Sequence, residues 1–447
     1  MTAKYAGRGV PRRHMQFQRG QAMVLGMLLA AIAATVLVRY FFAGQAVGAK
    51  ARQIDALDAA AYSAALLQAR SLNMLAYINR AQIGHQVAMA HLVTLASWAA
   101  LGGTEARQVA GGNPPLYLIG LLFGEAHGSA YAAALKASGL DALARSQGEL
   151  AMAYAAHDQV VRDTLVSVQD DIVDRLPQAR HSVMQAVLHQ NYPEWPQDTE
   201  FALTLEGDTW AGYLQRHGSG HTLHAYVQGV SALYDFLAPR NHLAASPWIV
   251  DARCPHLRHE LRRRGATELD AGGRWQSIDT QSFHALRSNR WIGCYYREYA
   301  MGWGWIPSAS IQAFAGPHVD NPPENFAGQD FWRWVKDSTD WDIASGSANP
   351  LANSKAVAAR QRWEGGGLAP YHDTKLGSPG SELVFGTTLI HPGPQGLRIK
   401  TESAAKTVFV RPVSRADQQV ELPNLFHPYW QAKLITHRWT DAARPHS

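Results

Sequence analysis

From Ala22 to Val38 the chain carries seventeen residues without a charge, followed by Arg39 and then Tyr40, Phe41, Phe42 and Ala43. A membrane-spanning helix needs roughly 20 apolar residues. The run reaches that length if the Arg39 guanidinium extends to the interface while its stem stays apolar. The aromatic triplet then falls where an interfacial belt belongs. The pattern therefore predicts one spanning helix over 21–43. A cleaved signal peptide is the competing reading, with Ala46-Val47-Gly48 as its small-residue cleavage site.

Beyond this segment the periodicity becomes helical and amphipathic. Leu67, Met74, Ile78, Ala81, Ala88 and Leu92 follow one another at 7, 4, 3, 7 and 4, with Asn73, Tyr77 and Arg80 on a polar flank. This predicts a long alanine-rich helix, broken near Gly44 and Gly48, that stops at Gly102-Gly103, Gly111-Gly112 and Asn113-Pro114-Pro115. A second stretch runs from about Gly124 to Gln190, with Leu150, Tyr154, His157, Val161, Leu165, Val168, Ile172 and Leu176 on one face. Asp158, Asp163, Asp170, Asp171 and Asp174 read as its solvated side, and Pro177 as a break or kink. Two such stretches joined by a short connection pair antiparallel, as a helical hairpin or bundle stalk.

The composition changes near Tyr192. Thirteen of fourteen tryptophans lie from Trp195 onward, and Gly and Pro become frequent. Alternating segments at 290–306 and 383–390, and shorter ones at 397–400 and 407–411, predict strands, while 210–245 reads as helical. The fold class expected is α+β: an N-terminal transmembrane helix, a helical stalk, then a mixed tryptophan-rich domain with an antiparallel sheet. The boundaries are a basic tail (1–20), an anchor (21–43), an alanine-rich helical region (44–191) and a mixed domain (192–447).

Charge refines the picture in one respect. The chain has 41 basic and 36 acidic side chains, a net +5, yet residues 1–20 hold Lys4, Arg8, Arg12, Arg13 and Arg19 and no acid. The remainder is balanced, so there is no basic body to support nucleic-acid binding. The tail places the N-terminus in the cytoplasm by the positive-inside rule, and the body across the membrane. There Cys254 and Cys294 are candidates for one disulfide.

The segment Arg19-Gly20-Gln21-Ala22, then a span, then Asp55 through Asp58-Ala59-Ala60-Ala61-Tyr62-Ser63-Ala64-Ala65 resembles the amino-terminal part of TadE/TadG-like Flp pilus-assembly proteins. The similarity covers roughly 18–66 and continues more weakly through Arg70, Asn73, Tyr77, Asn79 and Arg80. It implies a non-catalytic inner-membrane component of a tight-adherence pilus or related secretion apparatus, with its bulk in the periplasm. The partners implied are membrane lipid and other pilus-assembly or pilin-like proteins. The chain departs from the processed pilins in carrying Leu25, not Glu, five residues after Gly20. It also lacks the Asp-x-Ser-x-Ser metal motif of larger members, since Asp337-Ser338-Thr339-Asp340 has another spacing.

Other chemistry is thinner. His217, His221 and His224 have a spacing compatible with zinc, which would suit a membrane-anchored hydrolase, but no His-Glu-x-x-His signature accompanies them. Cys254-Pro255-His256 with His259 is equally unspecific. Gly365-Gly366-Gly367 lacks the Lys-Ser/Thr of a phosphate loop and reads as a flexible turn. Arg258 to Arg264 reads as a solvated helix end. Trp303-Gly-Trp305 and Trp332-Arg-Trp334 would suit stacking on cell-wall glycan, although core packing uses the same residues. No cofactor or metal site is assigned.

Overall fold

In the computed structural model one helix, α1 (Arg19–Ala110), runs for 92 residues, about 140 Å at 1.5 Å per residue. The structure describes residues 19–218, 221–289, 293–306, 363, 365–375 and 382–435. No proline interrupts α1, and Gly44 and Gly48 lie inside it with nothing packed around them. The expected break there is absent, because a lone glycine weakens a helix by about 1 kcal/mol without ending it. Gly102 and Gly103 are not breakers either. A Cβ on Gly103 would sit 2.7 Å from the Cβ of Asp141, so the residue serves close approach. The helix ends at Gly111-Gly112, where Asn113 N–H bonds Gln108 C=O (3.0 Å) and Gly112 has φ +66°.

The chain then turns through α2 (Leu116–Phe123), α3 (Glu125–Ala133) and two 3₁₀ turns before α4 (Glu149–Gln159) and α5 (Ser167–Asn191). A π-helical segment, Val160–Val166, joins the last two. Gln169 donates to Asn79 (2.6 Å), Arg180 to Gln68 (2.7 Å), and Arg52 bonds the C=O of Asn191. α5 therefore runs antiparallel to α1, as a hairpin. Its buried face differs from the expected one: Val168 is exposed and Gln169 buried. The wider π turn inserts a residue and moves the face one position along. α5 passes through Pro177, which faces solvent, without a break.

The strands form three antiparallel sheets among the described residues. β1 (Ala202–Glu206), β8 (Glu382–Pro392), β9 (Arg398–Phe409) and β10 (Trp430–Leu434) pair in the order 1-8-9-10. β2 (Leu214–His217) pairs β7 (Tyr371–Thr374), and β3 (His242–Ala245), β4 (Glu260–Leu269), β5 (Trp275–Asn289) and β6 (Gly293–Ile306) pair in order. The two short candidates at 397–400 and 407–411 are parts of the single strand β9. Among the described residues of 210–245 the α-helical part is α6 (His221–Ser231), followed by a 3₁₀ turn at Asp235–Leu237 and flanked by β2 and β3.

All three sheets line up along α1, and the cores cross residue 191. One core joins Leu57, Ala60, Ala61, Ala64 and Ala65 of α1 to Met184 and Leu188 of α5 and to Phe385, Leu389 and Ala405 of the first sheet. Another joins Leu72 and Leu75 to Leu383, Phe409 and Trp430, and a third joins Val93 and Ala96 to Trp275 and Ile306. Burying a leucine of this kind contributes roughly 1.5–3 kcal/mol. The far sheet comes closest: a Cβ on Gly304 of β6 would lie 2.1 Å from the carbonyl of Ser97.

A ladder of polar side chains fastens α1 to these backbones. Gln53 donates to Leu389 and Ile399 carbonyls (3.0 and 3.1 Å). Asn73 donates to Trp430 C=O and accepts from Trp430 N–H, both at 3.0 Å. Asn79 donates to His372 and Leu425 carbonyls, and Gln86 accepts from the Trp275 indole (3.1 Å). Thr104 bonds Trp303 in both directions at 2.7 Å. The buried stripe of α1 therefore runs through Gln68, Leu72, Asn79, Gln82 and Gln86, whereas Met74 of the expected face is 49% exposed.

Candidate functional site

The described residues include one helix long and apolar enough to cross a membrane, and its apolar window is covered nowhere by the body. Met23, Leu37 and Phe41 are 69%, 69% and 62% exposed, the reverse of what such residues do in a soluble fold. Phe42, Ala46 and Ala49 are the first residues to be partly shielded, at spacings that turn one helical face toward the first sheet. What meets them is the tip of the β8–β9 hairpin, Pro394 to Leu397. Between tip and helix is a hollow of about 670 Å³ with Val38, Arg39 and Phe42 on the helix side. A neighbouring hollow of about 340 Å³ is lined by Arg52, Tyr192, Glu194, Trp195 and His391. There Arg52 pairs with Glu194 (2.8 Å) and lies over the Tyr192 ring, and burial lowers the His391 pKa.

The residues of the family-like motif are placed as follows. α1 starts at Arg19, and the side chains of Arg19, Gly20 and Gln21 lie outside the described ones. Asp58 accepts a hydrogen bond from Ser403 of β9 (2.5 Å). Ala59 is exposed, whereas Ala60 and Ala61 are fully buried between α5 and the first sheet. Only a methyl side chain lets helix and sheet backbones approach so closely at both positions.

Cys254 and Cys294 form a disulfide with Cα atoms 6.1 Å apart. It ties the loop after β3 to the edge strand β6 across 40 residues, a closure worth about 4 kcal/mol in the chain-entropy account.

The histidines take other roles. His217 stacks on Tyr371, with ring centroids 5.2 Å apart, and the His224 Nε2 lies 3.0 Å from the Asp270 carbonyl; the His221 side chain lies outside the described ones. Among the described residues no group of three or more His, Cys, Asp or Glu could hold a metal ion. His256 is exposed, and His259 accepts from Leu286 N–H (2.8 Å).

Several sequence readings change on contact with the fold. Gly365, Gly366 and Gly367 all have φ between +80° and +90°. Arg162 binds the carbonyls of Gly366 and Gly367, and a Cβ on Gly366 would lie 2.0 Å from the Tyr154 hydroxyl, so this is a clasped turn. Arg262 and its neighbours lie on β4 rather than at a helix end, and Arg262 pairs with Glu260 (2.7 Å). Asp158 is buried against Arg162, and Asp170 receives Arg216 and His372 (3.0 and 2.8 Å), so part of the acidic series is engaged. Trp275, Trp305, Trp363 and Trp430 are buried; Trp332 and Trp334 lie outside the described residues, as does the Asp337–Asp340 motif.

Three further features lay beyond the sequence reading. Arg240 grips the fully buried Asp279 with two hydrogen bonds of 2.9 Å, and Asp279 also accepts from Ser97 (2.7 Å). Glu105, on the distal part of α1, has its pKa raised to about 7 by burial, against the opposing field of Arg263. A cleft of about 590 Å³ between α6 and β4 is lined by Gln228, Asp235, Thr267 and Glu268, and by Ser231, whose buried hydroxyl has no hydrogen-bond partner among the described residues. The only advance signal for the ladder was amides falling at helical spacing within an otherwise apolar face.

Comparison with protein-family models, with curated proteins and with solved structures finds no match to this chain.

Proposed function

We propose that this chain is a bitopic membrane protein that acts as a structural or assembly subunit of a Flp/Tad-type pilus or related secretion apparatus, without catalysis. The carrying observation is that α1 is at once a bare, largely apolar helix over 22–41 and the central element of the folded body beyond it. A subunit of that shape transmits position from the membrane to its body without a flexible joint.

The small residues Gly26, Ala30, Ala31, Ala33 and Ala34 on the bare part permit close lateral packing with other membrane helices. The basic tail favours a cytoplasmic N-terminus, and the disulfide suits a body in the oxidising periplasm. The resemblance of residues 18–66 to TadE/TadG-like proteins supplies the machine.

The test is a clean deletion strain of the source organism, complemented from a plasmid, with major pilin sheared from the cell surface and quantified. Loss of sheared pilin, restored by the plasmid, supports an assembly role. Unchanged pilin removes it, and direct glycan and metal binding assays then take precedence.

A further inference from the structure

Of the hollows described, the one at the β8–β9 tip is the only one whose wall is part of the bare apolar helix. Starting at Ala22, a hydrocarbon core of about 30 Å takes up roughly 20 residues at 1.5 Å each, and so ends near Phe41. The hairpin tip meets α1 against Phe42, Ala43 and Ala46, the next turn along. The tip is thus level with the headgroups of the leaflet nearest the body. Its chemistry suits that level: Leu397 is 51% exposed, and Gln395 and Gly396 both have positive φ, turning the hairpin sharply beside the helix. Arg39 lines the same hollow and has no ion-pair or hydrogen-bond partner among the described residues, in contrast to Arg52, nearly two turns beyond the hollow, which is held by Glu194.

We propose that this hollow is a socket for one anionic phospholipid of that leaflet. Its phosphate meets the Arg39 guanidinium through charge-assisted hydrogen bonds. Its glycerol and upper acyl carbons lie against Val38, Phe42 and Leu397. The occupant is a lipid and not a soluble phosphate because the Val38 and Phe42 side of the hollow continues into the bare apolar helix, where acyl chains can follow. Seated this way, the hairpin tip fixes the height and tilt of the body on the membrane, which a single helix alone does not do.

The inference rests on the reading of 22–43 as a membrane span, and its test separates the two. The full chain, whose two native cysteines are paired, is labelled with an environment-sensitive fluorophore at Leu397→Cys, at Leu29→Cys or at Val420→Cys, and reconstituted into phosphatidylcholine vesicles containing phosphatidylglycerol. Nitroxides are placed on the headgroup or at acyl carbon 12. The label at 397 is expected to emit to the blue of the label at 420 and to be quenched at least twofold more by the headgroup nitroxide than by the deep one. The label at 29 is expected to show the opposite preference. If 397 behaves like 420 while 29 is quenched from within the bilayer, the socket is wrong and the span stands. If 29 also behaves like 420, the span fails with it. Nitroxide carried on phosphatidylglycerol is expected to quench the label at 397 several-fold more than nitroxide on phosphatidylcholine, and Arg39→Gln to abolish the difference. Equal quenching by the two lipids in the unsubstituted chain overturns the assignment of Arg39.

Discussion

The two ends of α1 are one helix in two surroundings, bare before Phe42 and packed into the body beyond Gln53. From Met23 to Val38 the side chains carry no charge and are exposed, Arg39 being the first charged residue, and Thr35 turns its hydroxyl back onto the Ala31 carbonyl (2.8 Å). From Gln53 onward the helix buries alanines and leucines, many at essentially zero exposure, and at intervals Gln53, Asn73, Asn79, Ser97 and Thr104 bond strand backbone. The first end has no partner among the described residues, and apart from Arg39 its Thr35 hydroxyl and backbone groups are bonded within the helix. The second has partners on two sides and uses polar side chains to satisfy sheet edges that it covers. The two parts of this helix therefore differ both in hydrophobicity and in whether polar groups are buried with partners.

The contrast is broken most sharply by paired truncations in the full chain held in detergent, followed by denaturant unfolding with tryptophan fluorescence. Leu57→Ala, at a fully buried position, is expected to cost about 2–5 kcal/mol. Leu29→Ala, on the bare end, is expected to stay within about 0.5 kcal/mol. Equal losses at both sites would mean that the bare end is packed by something other than detergent.

Glu105 gives the next largest effect and a sign that can be checked. Its folded pKa of about 7 lies above the ordinary 4.5, so the folded state binds the extra proton. Its contribution is complete below pH 4.5, declines through pH 7 and is lost above it. Glu105→Gln is therefore expected to stabilise the body by about 2–3 kcal/mol at pH 8 and to flatten the slope between pH 4.5 and 7. A slope that survives the substitution would assign the titration to another group.

Asn73→Ala, which leaves the N–H and C=O of Trp430 facing a methyl, is expected to cost about 1–3 kcal/mol. It should also speed amide exchange at Trp430 more than at Phe385. A loss below 0.5 kcal/mol would mean that water replaces the clamp, making the ladder ornamental at that rung.

The sequence announced the apolar end plainly, since seventeen uncharged residues before an arginine and an aromatic triplet have few other readings. It also carried the helical hairpin and an antiparallel sheet in the second half, though not which strands pair. The rotation of α1 was misread for a physical reason. Gln68, Asn79, Gln82 and Gln86 count as polar in any periodicity, yet they are buried because each finds a partner there, Gln68 accepting from Arg180 and the other three donating to backbone carbonyls, so the apparent apolar face turns away from the true one. The slip in the second helical stretch came from a π turn that periodicity at 3.6 residues does not contain. Gly103 looked like punctuation and is a contact point, as is Gly304 of β6, which only the neighbouring atoms reveal. The hairpin tip beside Phe42 was illegible because 42 and 395 are joined by topology alone.

The most direct test of the central claim is alkaline carbonate extraction of membranes that contain the full chain, with the intact mass of the retained protein determined. The account predicts that the protein stays in the pellet at full mass and is released by detergent. Release by carbonate alone, or a retained mass lacking the residues before Ala49, would contradict an uncleaved helix shared by membrane and body.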